Sequence, residues 1–129
     1  MSNIDDFDKI TLLIKTLIEG EAEGDVSKLR EAFHQDARLF GHVNGERYDI
    51  PVSEYFDIAA SAPANSEGNH RARIISVNQF GDAAHAVVAE DGSWGVVSFI
   101  DLLSLARIDS GWKVVNKTFC HTGGEMPAL

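Results

Sequence analysis

Asp101 is the residue in this chain best placed to do chemistry. It interrupts the apolar run Val96-Val97-Ser98-Phe99-Ile100-Asp101-Leu102-Leu103, and a carboxylate inside an apolar strand has its pKa raised unless a cation or hydrogen-bond donors meet it. A histidine beside it, His42 or His70, would complete an acid/base pair able to move a proton. The same position has a structural reading, in which Asp101 pairs with Arg73 or Arg107, or points to solvent or to an interface. Tyr55, Ser104, Asn116 and Thr118 are further polar groups that could face a shared cavity. Ser104 shares its alternation face with Ile100 and Leu102, so it and Asp101 point opposite ways and do not serve one site.

Other pairings fail on spacing. The five histidines, at 34, 42, 70, 85 and 121, sit on separate elements with no His-x-His or i, i+4 pair, so no metal site is indicated. Cys120 and His121 are adjacent on a strand and project to opposite faces, which argues against a thiolate and its base. Cys120 reads as a small core residue. His34 falls at the end of a helix, where the dipole favours a partly charged imidazole. No glycine-rich loop leads from a strand into a helix, so no nucleotide is indicated, and the expectation is a site with no cofactor.

Helices come first in the elements that position these groups, and strands follow. Ile4, Phe7, Ile10, Leu13, Ile14, Leu17 and Ile18 recur at three and four and predict an amphipathic helix over residues 4–23. Ser2 or Asn3 caps its start and Gly24 suits its end. Asp25 caps a short second helix carrying Val26, Leu29 and Phe33. A strand over 37–43 turns at Asn44-Gly45 and returns over 46–50. Ser53 is placed to cap a third helix, with Val52, Tyr55, Phe56 and Ala59 inward and Ala62-Pro63 as its stop. After a loop over 63–69 come hairpins over 71–90 and 95–121, the latter turning at Asp109, Ser110 and Gly111. Strict alternation puts Trp112, Val114, Asn116, Thr118 and Cys120 on one face of the last strand, and Lys113, Val115, Lys117, Phe119 and His121 on the other. Gly123, Gly124 and Pro127 end the chain as a loose tail. Helices followed by strands predict an α+β fold, and a sheet apolar on both faces calls for helices on one side and a second subunit on the other.

Composition narrows the function classes. The 129 residues suffice for one domain, 1–129. A net charge of −9, with only His70, Arg71 and Arg73 clustered as basic residues, repels a phosphate backbone and excludes a nucleic-acid groove. No apolar run reaches the ~20 residues of a membrane span, so no membrane partner is expected. The acidic start Met-Ser-Asn-Ile-Asp-Asp has no signal-peptide pattern, and one cysteine suits a reducing compartment, so the expected location is the cytoplasm.

Several joints carry a resemblance. They are Leu17-Ile18-Glu19-Gly20 with Gly24-Asp25, Leu29, Phe33-His34 and Asp36-Ala37, then Leu103-Ser104-Leu105, Ile108-Asp109, Gly111-Trp112-Lys113-Val114-Val115-Asn116-Lys117 and Phe119. With these residues the chain resembles the nuclear-transport-factor-2-like superfamily, most closely its lumazine-binding, SnoaL-like branch. The resemblance implies a cone of three N-terminal helices on a strongly curved, mostly antiparallel sheet, with a pocket inside and a homodimer through the outer sheet face. It implies no single activity, because members range from isomerases, dehydratases and cyclases to adaptors. Ketosteroid isomerase has a similar fold; its helix-1 tyrosine falls at Leu17, its general-base aspartate at about Gly41 and its oxyanion aspartate at about Ser104. All three groups are missing here, so that activity does not carry over.

Two readings follow, beside a third in which the chain is an interaction domain whose dimer matters more than its pocket. In one, the chain binds a flat or largely apolar metabolite through Leu17, Tyr55, Phe56, Trp94, Trp112 and Asn116. In the other it is a cofactor-independent lyase, isomerase or cyclase, with Asp101 and His42 or His70 as acid and base. A buried carboxylate and imidazole within hydrogen-bond reach would favour the second.

Overall fold

The structure, a computed structural model, describes residues 2–126, so Pro127 lies outside the described residues. The order is α1 (Asn3–Glu23), α2 (Val26–Ala32), β1 (Phe33–Val43), β2 (Glu46–Pro51), α3 (Val52–Ser61), β3 (Arg71–Phe80), β4 (Ala83–Ser93), β5 (Val97–Ile108) and β6 (Gly111–Gly123). Ser2 caps α1 through Asp5 N–H, Gly24 ends it at φ 70°, and Asp25 caps α2 through Lys28 N–H. These are the stops that the sequence predicts.

Two boundaries differ from the sequence reading. Phe33 and His34 belong to β1, because α2 ends at Ala32 and the chain turns extended at Phe33, φ −95° and ψ 141°. His34 therefore closes no helix; its Nδ1 accepts from Asp36 N–H. Helix α3 begins at Val52 behind Pro51 and has no side-chain cap, so Ser53 does not cap it. Proline serves here by fixing φ and lacking a donor that would go unpaired.

The strands form one open mixed sheet in the order β2-β1-β6-β5-β4-β3, with β1 and β6 parallel and the other neighbours antiparallel. Asn44 and Gly45, at φ 51° and 80°, make the β1/β2 turn, and Asp109 and Ser110, at 49° and 69°, make the β5/β6 turn. Both have the twist that tight hairpins favour. One irregularity decides the site. Ser104 pairs with Asn116 but Leu105 pairs with Val114, leaving Val115 as an extra residue in β6. A bulge exchanges the two faces beyond it, so Trp112 and Val114 point inward before the bulge, and Lys117 and Phe119 point inward after it.

Helix α1 lays Ile10, Ile14 and Leu17 against Ala84, Ala86 and Val88 of β4, Leu103 and Leu105 of β5, and Val114 of β6. The first members of its apolar stripe, Ile4 and Phe7, stay exposed. A smaller cluster of Val43, Val97 and Phe99 gathers Tyr48, Trp94, Phe119 and Met126 at the other end. The cavity lies between the two clusters. No helix among the described residues is long and apolar enough to cross a membrane.

Candidate functional site

A cavity of about 170 Å³ opens between α3, the end of α1 and the inner face of the sheet. Leu39, Ile50, Ile58 and Ala59 form its aliphatic wall, and Tyr48, Trp94, Phe99 and Phe119 its aromatic one. Trp94 and Phe119 each meet Phe99 edge to face, with centroids 6.0 and 6.1 Å apart, a favoured aromatic geometry that packs this wall together. Trp94 is fixed further by its Nε1 donating to Ala62 O at 2.8 Å.

Its polar end is built from five elements. Glu21 continues the buried α1 stripe of Ile14 and Leu17, and Glu90 continues the inward alternation of Ala84, Ala86 and Val88 on β4. Asp101 comes from β5, Lys117 from β6 by way of the bulge, and Tyr55 from α3. Lys117 Nζ donates to Glu21, lies 3.6 Å from Asp101 Oδ2 and stands 5.0 Å from the centre of the Tyr55 ring. The Tyr55 hydroxyl also donates to Glu21. Behind them, His70 Nε2 and Glu90 Oε1 are 2.8 Å apart, with side chains 3% and 4% exposed.

Three carboxyl groups, with ligand atoms within 4.8 Å of one another, share one ammonium. Burial works against all of them as anions. It raises Glu21, but the charge and hydrogen bond of Lys117 prevail and hold that carboxylate below its usual range. Burial raises Asp101 well above the usual range, against the pull of Lys117. Burial, with the charge of Glu21, raises Glu90 to about 7. Burial lowers His70. Lys117 is held well above its ordinary value by Asp101 and Glu21, although burial opposes this. Asp101 Oδ1 is buried and meets no N–H or O–H donor. Its neighbour is Glu90, and two carboxyl groups hydrogen-bond only with a proton between them. The set thus holds one ion pair, Lys117 with Glu21, while burial favours the protonated forms of Asp101 and Glu90 beside it. Three carboxylates could ligate a hard divalent cation, but such an ion would have to displace the Lys117 ammonium.

Of the residues singled out in the sequence, Asp101, Tyr55 and Trp94 line this cavity, and His70 stands behind Glu90. The others lie elsewhere. His42 is exposed on the outer face of β1, edge-on to Phe40. Leu17 and Phe56 are core residues that do not line the cavity. Trp112 is buried with the Arg107 guanidinium 4.7 Å from its ring centre. Asn116 points away because of the bulge, and its side chain accepts from Thr118 Oγ1. Cys120 is exposed rather than a core residue. Asp101 pairs with neither expected arginine, for Arg107 makes a two-pronged bond to Asp6 at 3.0 and 2.8 Å, and Arg73 is exposed. Gly41, where a base would fall by resemblance to ketosteroid isomerase, has no room for one. A Cβ there would lie 2.3 Å from Phe119 O and 2.6 Å from its ring.

Glu21, Glu90 and Lys117 escaped the sequence reading. The first two could have been found by extending the stripe of α1 and the alternation of β4 by one step each. Lys117 could not, because nothing in the residues 111–119 marks Val115 as the extra one.

The helices, the open mixed sheet and the internal cavity define a protein of the nuclear-transport-factor-2-like class. Within it, the chain belongs to the family described as "Putative lumazine-binding", whose model matches residues 5–120. It is 31% identical to a nuclear-transport-factor-2-like protein of unknown function from Methylobacillus flagellatus, over 94% of this chain and 95% of that one, at a TM-score of 0.83. A protein of the same description from Shewanella baltica is 24% identical over 96% and 99%, at 0.85. Aldolase FrzH of a Cladobotryum species is 22% identical over 116 residues, covering 88% of this chain and 90% of the aldolase.

Proposed function

We propose that the chain is a cofactor-independent enzyme that binds a small, largely apolar carbonyl compound in the cavity and moves a proton on the carbon next to the carbonyl. One observation carries this reading: two buried carboxyl groups, Asp101 and Glu90, have oxygens within 4.8 Å of each other at the polar end of an apolar cavity, where burial favours a proton on them. The Asp101 O–H donates to the carbonyl oxygen, and Lys117 stabilises the negative charge that grows there. Glu90 removes the proton, and its pKa near 7 suits a general base at neutral pH. Aldol, dehydration and isomerisation chemistry all begin with this step, and the likeness to an aldolase supports the assignment. The test is loss of α-protons from cyclohexanone in D2O, followed by proton NMR. The wild type should accelerate it, and Asp101→Asn should lose roughly a hundredfold of that acceleration. A protein that binds cyclohexanone and leaves its protons in place would be a binding protein only.

The same reading includes a homodimer through the outer sheet face. Phe40, Thr118, Leu102 and Val87 are consecutive partners across β1, β6, β5 and β4. Phe40 and Leu102 are 39% and 50% exposed, and apolar side chains aligned in this way suit a self-complementary contact.

A further inference from the structure

We propose that Glu21 is the positioning residue of the site: it takes the Lys117 ammonium as its own partner, so that Asp101 keeps the proton it offers to the carbonyl oxygen. The inference rests on Asp101 as the acid, and it adds what keeps Asp101 an acid. An ammonium beside a carboxyl group favours the ionised form, and Lys117 Nζ lies 3.6 Å from Asp101 Oδ2. Left alone with Asp101, Lys117 would make an ion pair of it and leave the carbonyl without its donor.

The hydrogen bonds divide the two carboxyl groups unequally. Glu21 Oε1 accepts from both the Lys117 ammonium and the Tyr55 hydroxyl. Asp101 receives neither, because 3.6 Å is beyond hydrogen-bond length and its Oδ1 is buried with no donor. A carboxylate stays ionised where donors and a cation meet it, and a buried carboxyl group without them keeps its proton.

Nothing in α1 itself favours an anion at position 21. Glu21 is 5% exposed and sits in the last turn of the helix, which carries no basic residue and whose dipole presents its negative end there. The partners that offset this come from β6 and α3. The backbone that aims the side chain is held in place, since Ala64 N–H donates to Glu21 O and Asn65 N–H to Ala22 O, both at 3.0 Å. On the α2 side the packing is close, and a Cβ at Gly20 would lie 2.9 Å from Leu29 Cγ.

The groups around Asp101 come from every element packed on it. Glu21 of α1 and Lys117 of β6 match each other in charge, and Tyr55 of α3 is neutral. Glu90 of β4 keeps its proton below about 7, and burial holds His70, just before β3, toward its neutral form. At about pH 6 the loss of the Glu21 charge alone would therefore leave Lys117 unmatched among these groups, with Asp101 3.6 Å away to ionise against it.

The test is Asp101 carboxyl carbon-13 NMR at about pH 6, read beside cyclohexanone exchange in D2O. In Glu21→Gln the Asp101 signal should move from its protonated to its ionised position, and exchange should slow by roughly tenfold or more. Cyclohexanone should still quench tryptophan fluorescence at the wild-type concentration. Lys117→Met with Glu21→Leu removes cation and anion together, and should leave Asp101 protonated. A merely structural Glu21 would not make the charge on Asp101 depend on Lys117. An Asp101 that stays protonated in Glu21→Gln, or ionises in the double variant, would overturn the role of Glu21 and leave Asp101 as the acid untouched. An Asp101 already ionised in the wild type, or a wild type that exchanges no protons, would overturn the proton-transfer reading itself, and this role with it.

Discussion

Lys117 Nζ stands 3.6 Å from Asp101 Oδ2 because β6 carries one residue more than its partner at Val115. Without that bulge, the lysine would project from the outer face and the cavity would hold three carboxyl groups with no cation. The lysine is therefore what makes a buried acidic cluster tolerable. Removing one partner of a buried ion pair costs about 3–5 kcal/mol, whereas replacing both with apolar groups is often neutral. Lys117→Met should lower the urea unfolding free energy by that amount, and the double replacement Lys117→Met with Glu21→Leu should recover most of it. A single variant as stable as the wild type would show that the ammonium does not neutralise the cluster.

Stability should fall as pH rises through the range where Glu90 keeps its proton only in the folded state. Its folded pKa, about 7, lies above the ordinary 4.5, so its contribution is fully present below 4.5 and lost as pH rises through about 7. The difference amounts to about 3 kcal/mol, at 1.36 kcal/mol per pH unit. His70 acts in the opposite sense, because its lowered pKa removes stability as pH falls below its ordinary value. Comparison with Glu90→Gln isolates the glutamate. Between about pH 5 and pH 8 the variant should gain on the wild type by that ~3 kcal/mol in urea denaturation. Parallel curves for the two proteins would contradict it.

Lys117 should not act as an imine-forming nucleophile. Glu21 and Asp101 hold it as an ammonium, and only the neutral amine attacks a carbonyl. Incubation with cyclohexanone and cyanoborohydride, followed by peptide mass spectrometry, should leave Lys117 unmodified. A reduced adduct on Lys117 would replace the proton-transfer reading with covalent catalysis.

Sedimentation should report a dimer that Leu102→Asp converts to a monomer. Leu102 is at the centre of the outer row, so a buried carboxylate would stand on both sides of the contact. A variant that still sediments as a dimer would place the interface elsewhere.

Much of the architecture was legible in the sequence, because local signals and long-range packing agree there. Ser2, Asp25, Asn44-Gly45 and Asp109-Ser110 mark stops and turns by their own chemistry, and the structure uses all of them. The site was legible only in part. Asp101 could be singled out because an acid in an apolar strand breaks a local pattern. Glu21 and Glu90 sit at the ends of patterns that are apolar up to that point, where an acid looks like the start of a solvated stretch. Lys117 and Asn116 were exchanged by the bulge, since alternation carries no record of an inserted residue. Ser53 was overruled by Pro51, which starts α3 earlier without a side-chain bond.

The proposed acid/base site requires Asp101 and Glu90 to keep a proton inside the cavity at a pH where exposed carboxylates are ionised. Carboxyl carbon-13 NMR of protein labelled at aspartate and glutamate, assigned with Asp101→Asn and Glu90→Gln, measures this directly. The Asp101 signal should remain at its protonated position when the exposed carboxylates have ionised, and the Glu90 signal should titrate near 7. Both signals moving with the exposed carboxylates would mean two ionised groups in the cavity, and the acid/base site proposed here would not exist.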